Sequence, residues 1–169
     1  GEAISISPDG TRLATLYDKE VMIWDIASGE KLQTFPGTQY AVISTNWSVL
    51  ATRSVGEQVL LIYDLESGRV THRLDRGVNQ GTTGIYISPD GKVLASREQA
   101  SENKLLLWDT TSGSLLHSLP EAYSTRGFTP DGKYISSVKY ETMEPDRVVL
   151  NYWNVGTGEM AESVPIGQR

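Results

Sequence analysis

Cysteine is absent from the 169-residue chain, and histidine occurs only twice, as His72 and His117. Disulfides and thiol catalysis are therefore excluded. Neither histidine has a second ligand at a workable spacing, so we expect no metal and no other cofactor. A chain without cysteine fits a reducing compartment, and the expected location is the cytoplasm.

Long apolar runs and clusters of positive charge are also missing. The longest uninterrupted apolar runs are of the kind VLLI at 59–62, far below the ~18 residues that a membrane span needs. The net charge is −6 and the isoelectric point is near 4.9, whereas phosphate binding requires clustered lysine and arginine. We therefore expect neither a membrane nor a nucleic acid as the partner.

One ten-residue motif, which we call the first phrase, occurs three times, as ISPDGTRLAT (6–15), ISPDGKVLAS (87–96) and FTPDGKYISS (128–137). Its Pro-Asp-Gly core predicts a tight turn, because proline fixes φ, aspartate bonds its own backbone and glycine accepts a positive φ. Short β-favouring runs precede and follow each core, so the phrase joins two strands. At 44–53 the sequence STNWSVLATR stands in the same place with a diverged turn, Thr45-Asn46-Trp47.

A second phrase occurs four times and defines the repeat. An aromatic residue precedes a glycine by five positions in every copy: Trp24 and Gly29, Tyr63 and Gly68, Trp108 and Gly113, Trp153 and Gly158. Each unit then contains four predicted strands, a to d, with the first phrase between a and b and a Ser/Thr-Gly turn between c and d. Four units with periods of about 37 to 45 residues indicate a repeat architecture.

This pattern resembles the WD-repeat (WD40) β-propeller family over nearly the whole chain. The resemblance rests on the three Pro-Asp-Gly turns and on the dipeptides Trp24-Asp25, Tyr63-Asp64, Trp108-Asp109 and Trp153-Asn154. It implies an all-β fold of four four-stranded antiparallel blades, near 1–37, 38–75, 76–119 and 120–169. The family's Gly-His dipeptide is missing, with Gly37-Thr38 in its place in the second unit, so we transfer no hydrogen-bonded tetrad.

The resemblance implies a non-catalytic protein-interaction scaffold or sensor module. The signature aromatics are expected to fill space between blades, and the aspartates to bond their own turns. The alternative is a propeller enzyme or small-molecule binder that uses the central channel. The strand a positions expected to line that channel, Ser5, Val42, Tyr86 and Gly127, include no convergent acid, base or metal set.

The end units raise the question of what covers them, because each blade buries its apolar faces against two neighbours. Neither the first nor the fourth unit has a polar face suited to a cap. We therefore expect the four units to be cut from a longer array. Three covers remain open: further blades of the same chain, a second copy, or closure of the four units into a ring.

Spacing between strands points to one binding face. From the strand b leucine or isoleucine to the strand c aromatic, the four units run 11, 13, 14 and 18 residues, whereas the aromatic-to-glycine spacing is constant. Because strands alternate in direction, the b–c and d–a loops share one face, and variable loops on a rigid frame commonly bind partners. Arginine and tyrosine are frequent at interfaces, so the candidate partner-binding residues are Tyr40, Arg53, Arg97, Tyr123, Arg126, Tyr140 and Arg147.

Overall fold

The fold was obtained as a computed structural model. It describes residues 2–54, 57, 59–75, 84–98, 103–120, 124–140 and 147–168, with the side chains of 140, 147, 167 and 168 left out. The all-β prediction is confirmed, because these residues form sixteen strands in four antiparallel four-stranded sheets. Within these ranges there is no helix long and apolar enough to cross a membrane.

Sheets one and two follow the order of the chain, so each is a meander of consecutive strands. Sheet one contains β1 (Glu2–Ile6), β2 (Arg12–Tyr17), β3 (Glu20–Asp25) and β4 (Lys31–Phe35). Sheet two contains β5 (Thr38–Ile43), β6 (Val49–Ser54), β7 (Leu60–Asp64) and β8 (Val70–Leu74).

Sheets three and four repeat the same order. Sheet three contains β9 (Ile85–Ile87), β10 (Val93–Glu98), β11 (Lys104–Asp109) and β12 (Leu115–Leu119). Sheet four contains β13 (Ser124–Phe128), β14 (Tyr134–Tyr140), β15 (Arg147–Asn154) and β16 (Met160–Gln168). The first strands of neighbouring sheets contact one another, β1 with β5, β5 with β9 and β9 with β13, so these strands lie innermost.

One face of the stack carries eight turns of equal length, and we call it the turn face. Every turn between a first and a second strand, and every turn between a third and a fourth, spans five residues. The two turns of a sheet are joined by a backbone hydrogen bond, such as Ile26 N–H to Thr11 O at 2.9 Å and Thr110 N–H to Lys92 O at 3.0 Å. The turn face is therefore a regular, internally bonded surface.

Serine or threonine closes each turn between the first and second strands. Ser88 Oγ donates to Asp90 Oδ1 at 2.7 Å and accepts the Val93 N–H at 2.9 Å. The residue after the aspartate position has a positive φ in all four sheets: 72° at Gly10, 77° at Gly91, 71° at Gly132 and 56° at Trp47. The diverged turn of the second unit thus keeps its geometry, with tryptophan held in a backbone conformation that favours glycine.

Trp47 is held there by a contact with the preceding sheet. Its indole Nε1–H donates to Ser5 Oγ at 2.8 Å, and the Asn46 side chain donates to the Asp90 carbonyl of the following sheet at 2.9 Å. Asn46 also accepts the Ser44 hydroxyl at 2.6 Å, as the aspartates do in the other sheets. The diverged turn therefore links three consecutive sheets.

The apolar core consists of three clusters, each between two consecutive sheets. The cluster between sheets one and two includes an edge-to-face contact of Phe35 with Tyr63, with ring centroids 5.1 Å apart. Among the described residues, no such cluster joins sheet four to sheet one. Residues 0% exposed at the centres of these clusters include Leu50, Leu60, Leu94, Leu105, Leu107 and Ile135.

Outer strands also reach the next sheet through one repeated position. His72 on β8 bonds the Thr111 carbonyl at 2.7 Å, and His117 on β12 bonds the Gly156 carbonyl at 3.1 Å, both through Nε2. Because a carbonyl only accepts, Nε2 carries the proton in both rings. The two histidines therefore connect sheets two, three and four.

Candidate partner-binding site

The face opposite the turn face carries connections of unequal length, and we call it the loop face. Between the second and third strands, the connections span 2, 5, 5 and 6 residues in sheets one to four. Between sheets they span 2, 10 and 4 residues. The shortest is a hairpin at Asp18 and Lys19, which have φ of 48° and 64°, as a two-residue turn between twisted strands requires.

The long connection expected in the fourth unit is shorter than the sequence spacing suggested. Lys139 and Tyr140 belong to β14, Arg147 begins β15, and only 141–146 lie between them. Most of the extra length instead extends the strands, which have seven and eight residues here against five or six in the other sheets. The segment KYETMEPDR at 139–147 therefore begins and ends in strands.

Tyr40 and Arg53 lie next to each other at the loop face. They are cross-strand partners on β5 and β6 of sheet two. Tyr40 is 45% exposed, whereas Arg53 is half-buried. Directly opposed side chains on neighbouring strands are within contact distance, so the structure brings these two predicted residues together.

Arg97 occupies the same register in sheet three. Arg53 pairs with Leu60, and Arg97 with Leu105, at the loop end of the third strand. Arg97 is half-buried, and its Nε atom is buried with no hydrogen-bond partner in the part of the chain that the structure describes. A buried guanidinium donor without an acceptor is uncommon, so Arg97 is a candidate donor to a ligand.

The other predicted residues are more scattered. Arg126 is exposed and lies inside β13, at a bulge next to Gly127, rather than in the connection before that strand. Tyr140 and Arg147 are placed at the loop ends of β14 and β15, but their side chains are not among those described. Tyr123 lies outside the described residues.

The turn face differs in that its polar groups bond one another. Asp25 accepts the Ser28 N–H at 2.7 Å and its hydroxyl at 2.8 Å, and these bonds lower the pKa of Asp25. The Ser67 hydroxyl and N–H lower the pKa of Asp64 in the same way, and the Ser112 N–H that of Asp109. Asn154 accepts from Gly156 and Thr157 at 2.9 and 3.1 Å.

The aspartates of the Pro-Asp-Gly turns also accept hydrogen bonds from their own turns. Hydrogen bonds from the Ser7 hydroxyl and from the Thr11 backbone and side chain lower the pKa of Asp9 from 3.8 to about 2. The Thr129 hydroxyl and the Lys133 N–H lower the pKa of Asp131. These carboxylates stay ionised at neutral pH and serve their own turns, so they are poorly placed as proton donors.

Three signature aromatics, Tyr63, Trp108 and Trp153, lie in the clusters between sheets, as expected, whereas Trp24 lines an open cleft on sheet one. All four bond a partner that the sequence reasoning missed. The indole N–H groups of Trp24, Trp108 and Trp153 donate to Thr15, Ser96 and Ser137 at 2.9, 2.9 and 3.0 Å. Tyr63 bonds Thr52, although burial raises the pKa of its hydroxyl. The signal was present in the sequence, because a hydroxyl residue follows two positions after Leu13, Leu50, Leu94 and Ile135.

Positions expected to line a central channel mostly contact neighbouring sheets. Ser5 accepts the Trp47 indole, and Tyr86 donates its hydroxyl to the Thr125 carbonyl at 2.9 Å. Val42 packs against the cluster between sheets two and three. Gly127 has a φ of 116° at the β13 bulge. The innermost strands therefore use these side chains for packing.

Comparison with known proteins relates this chain to WD-repeat proteins. The family model described as "WD domain, G-beta repeat" matches residues 2–25, which span the first three strands of sheet one. Human apoptotic protease-activating factor 1 is 28% identical over 166 residues, covering 89% of this chain and 12% of that protein.

Two further relatives show the same partial relationship. Cell division cycle 20.1, cofactor of APC complex, from Arabidopsis thaliana is 27% identical and covers 99% of this chain and 38% of its own length. Protein tipD from Dictyostelium discoideum is 27% identical over 57% of this chain and 16% of its own length. The chain thus spans less than two fifths of each of these three curated relatives.

Among solved structures, the Kuenenia stuttgartiensis hydrazine synthase has the same fold as this chain. The TM-score is 0.71 at 19% identity, over 97% of this chain and 48% of that one. At this identity the similarity concerns the propeller-type fold alone.

Proposed function

We propose that this chain, which has four four-stranded sheets and is similar to WD-repeat (WD40) proteins, is a non-catalytic scaffold or sensor module that binds a protein partner through its loop face. Proteins with these repeats typically hold other proteins together. The cytoplasm is the proposed compartment.

The observation that carries the proposal is the difference between the two faces. All eight turns of the turn face span five residues, whereas every difference in length falls on the loop face. A rigid frame that holds variable connections is the usual arrangement of a binding surface. The polar groups of the turn face are also occupied by one another, which leaves fewer donors and acceptors for a partner.

Arg97 gives the surface a specific chemistry. Its half-buried guanidinium carries several N–H donors, and a carboxylate or carbonyl oxygen of a partner would accept from those that are accessible. Tyr40, exposed beside Arg53, adds an amphipathic ring of the kind that dominates interface energies. We therefore propose that Tyr40, Arg53 and Arg97 contact the partner. Tyr123, Arg126, Tyr140 and Arg147 belong to the same proposal on sequence grounds.

A catalytic or small-molecule role in the central channel is the weaker alternative. Ser5 and Tyr86, the hydroxyl-bearing residues at the channel positions, are bonded to other sheets. Within the described ranges no group of three histidine, aspartate or glutamate side chains is arranged to hold a metal ion.

The experiment is a binding comparison between matched variants. The chain is immobilised, captured proteins are identified, and each is purified and titrated against wild type, Arg97→Ala and Lys133→Ala. Lys133 is the control because its side chain is 72% exposed on the turn face. We expect Arg97→Ala to weaken binding about tenfold or more and Lys133→Ala to leave it unchanged. Unchanged affinity of Arg97→Ala for every purified partner would refute the proposed face.

A further inference from the structure

A recess lies on the turn face where sheets one and two meet. Its volume is about 400 Å³, and its lining residues all belong to these two sheets. Ser7 and Leu65, which are 7% and 5% exposed, form its floor. Leu65 is also a member of the apolar cluster between the two sheets. The recess therefore lies directly above that cluster, and it is large enough to admit one long side chain.

Trp47 forms an aromatic wall of this recess. Its ring packs against the same apolar cluster, and its indole Nε1–H bonds Ser5 Oγ of sheet one at 2.8 Å. The ring is therefore fixed across the gap between the two sheets. The other three turns have glycine at this position, as Gly10, Gly91 and Gly132, and tryptophan takes the φ of 56° less readily than glycine would. A strained backbone at one turn of the four suggests a role for this side chain.

Two acidic side chains flank the recess, Asp9 from sheet one and Glu66 from sheet two. Glu66 is exposed, and among the described residues its carboxylate has no hydrogen bond or ion pair. Within the same described part of the chain, the hydrogen bonds to Asp9 come from Ser7 and Thr11 and all end on Oδ1. The Oδ2 atom of Asp9 and both carboxylate oxygens of Glu66 can therefore accept hydrogen bonds from a ligand.

Arg12 also lines the recess, but two carboxylates already lie beside it. It pairs with Asp25 across β2 and β3. Hydrogen bonds within their own turns lower the pKa of Asp25 and of Asp9, and the positive charge of Arg12 contributes to both shifts. Both carboxylates are ionised at neutral pH, as is that of the exposed Glu66. Negative charge therefore exceeds positive charge around the recess, and the electrostatic field there favours a cation.

Sheets three and four form an equivalent recess of about 360 Å³ with different chemistry. Gly132 stands there in place of the tryptophan, and Gly156 in place of the glutamate. Its two lysines, Lys92 and Lys133, are ion-paired with the aspartates of their own turns at 3.7 and 3.8 Å. This second recess has neither an aromatic wall nor an unpaired carboxylate from the following sheet, so it serves as a control within the same chain.

We propose that the recess between sheets one and two binds an arginine side chain from a peptide segment of a protein partner. A guanidinium is planar and weakly hydrated, so its face stacks on the Trp47 ring while its N–H groups donate to Glu66 and Asp9. The site uses no residue of the loop face. It therefore goes beyond the proposed function, and the failure of one proposal leaves the other intact.

The first test is a titration followed by NMR at the backbone amide of Leu65, with the amide of Val155, its equivalent in sheet four, as the reference. The probes are the capped tripeptide acetyl-Gly-Arg-Gly-amide, the same tripeptide with citrulline, a neutral isostere, in place of arginine, and free arginine. We expect a saturable shift at Leu65 with a millimolar dissociation constant for the arginine tripeptide, and no shift at Val155. The citrulline tripeptide should bind at least about fivefold more weakly, because it lacks the charge.

Three results of this titration would overturn the proposal. The first is the absence of a saturable shift at Leu65 with the arginine tripeptide. The second is equal binding of the citrulline tripeptide, or equal shifts at Leu65 and Val155, since either would show that the tryptophan and the carboxylates do not select the ligand. The third is tighter binding of free arginine than of the tripeptide, which would assign the recess to the amino acid instead of a peptide.

The second test uses three variants and the arginine tripeptide. Trp47→Gly gives this turn the residue that the other three carry, so we expect the fold to be kept while the aromatic wall is removed. Glu66→Gln removes one charge, and Glu30→Gln is its matched control, because Glu30 is exposed on the turn face and does not line the recess. We expect binding to weaken about tenfold for Trp47→Gly and about fivefold for Glu66→Gln, and to be unchanged for Glu30→Gln.

Circular dichroism of each variant shows whether the fold is kept. Unchanged binding by a folded Trp47→Gly would overturn the proposal, as would equal effects of Glu66→Gln and Glu30→Gln. If Trp47→Gly does not fold, the glutamate pair decides alone.

Discussion

The turn face and the loop face are built from the same sixteen strands, yet they differ in what their residues contact. On the turn face, Ser88 bonds Asp90 and Val93, and Asp109 bonds Thr111 and Ser112, so local hydrogen bonds fix every turn. On the loop face, Arg97 has a buried donor atom for which the described residues supply no acceptor. The polar groups of the turn face therefore serve the fold, and the loop face is the one that we propose for partner binding.

The largest effect is expected where a turn glycine of the turn face meets the preceding sheet. Gly158→Ala places a Cβ 2.6 Å from His117 Nδ1 at a φ of 71°, and we expect a loss of about 3 kcal/mol in the free energy of unfolding. At Gly29 the backbone conformation is the same, but an added Cβ would meet no described atom within 4 Å. We therefore expect Gly29→Ala to lose only about 1 kcal/mol in the free energy of unfolding. Urea denaturation measures both, and equal losses would contradict the packing of neighbouring sheets.

A smaller effect is expected at the serine that closes a turn. Ser88→Ala removes the bonds to Asp90 and Val93 at a side chain only 2% exposed, and we expect a loss of about 1.5 kcal/mol in unfolding free energy. Ser54→Ala at the loop end of β6 is the matched change, expected within about 0.5 kcal/mol of wild type. If thermal denaturation showed Ser54→Ala to be the less stable variant, the proposed difference between the two faces would be wrong.

Arg97→Ala tests the separation of stability from binding. Because Arg97 lies at the end of a strand and is half-buried, its removal should cost less than about 1 kcal/mol. Binding to a purified partner should still fall. Calorimetric unfolding, measured beside the binding titration, distinguishes a loss of binding from a loss of stability. A large loss of stability would show that Arg97 supports the fold.

The smallest effect at neutral pH is expected for Asp9→Asn, because Asn46 already fills the equivalent position of sheet two with the same bond from serine. In acid, wild type should lose stability relative to Asp9→Asn. The pKa of Asp9 is lowered from 3.8 to about 2, so its stabilising contribution is complete above 3.8 and is lost as the pH falls towards 2. Unfolding midpoints should therefore decrease less steeply in acid for Asp9→Asn than for wild type. Parallel acid limbs would contradict this role.

Turns and strand order were predictable because their signals are local. Pro-Asp-Gly and the aromatic-to-glycine spacing specify backbone conformations within a few residues of themselves. The diverged turn at Asn46 and Trp47 was harder to predict, since tryptophan rarely takes a φ of 56°. Its conformation depends on Ser5, which lies 42 residues earlier in the chain.

Contacts between sheets could not be predicted from the sequence alone. The bond from His72 to Thr111 joins residues 39 apart, and nothing near either residue indicates the other. The burial of the Arg97 donor likewise has no signal in the neighbouring sequence. In the fourth unit, the spacing alone could not show whether the added residues would form a longer loop or, as in β14 and β15, longer strands.

A partner that binds the loop face should leave the turn face accessible in the complex. Hydrogen–deuterium exchange of the chain, free and in complex with a purified partner, tests it directly. We expect slower exchange at backbone amides around Arg53, Leu60 and Arg97, with the turns at Ser7–Arg12 and Ser88–Val93 unchanged. Protection confined to those turns, with the strand ends near Arg53 and Arg97 unaffected, would contradict it.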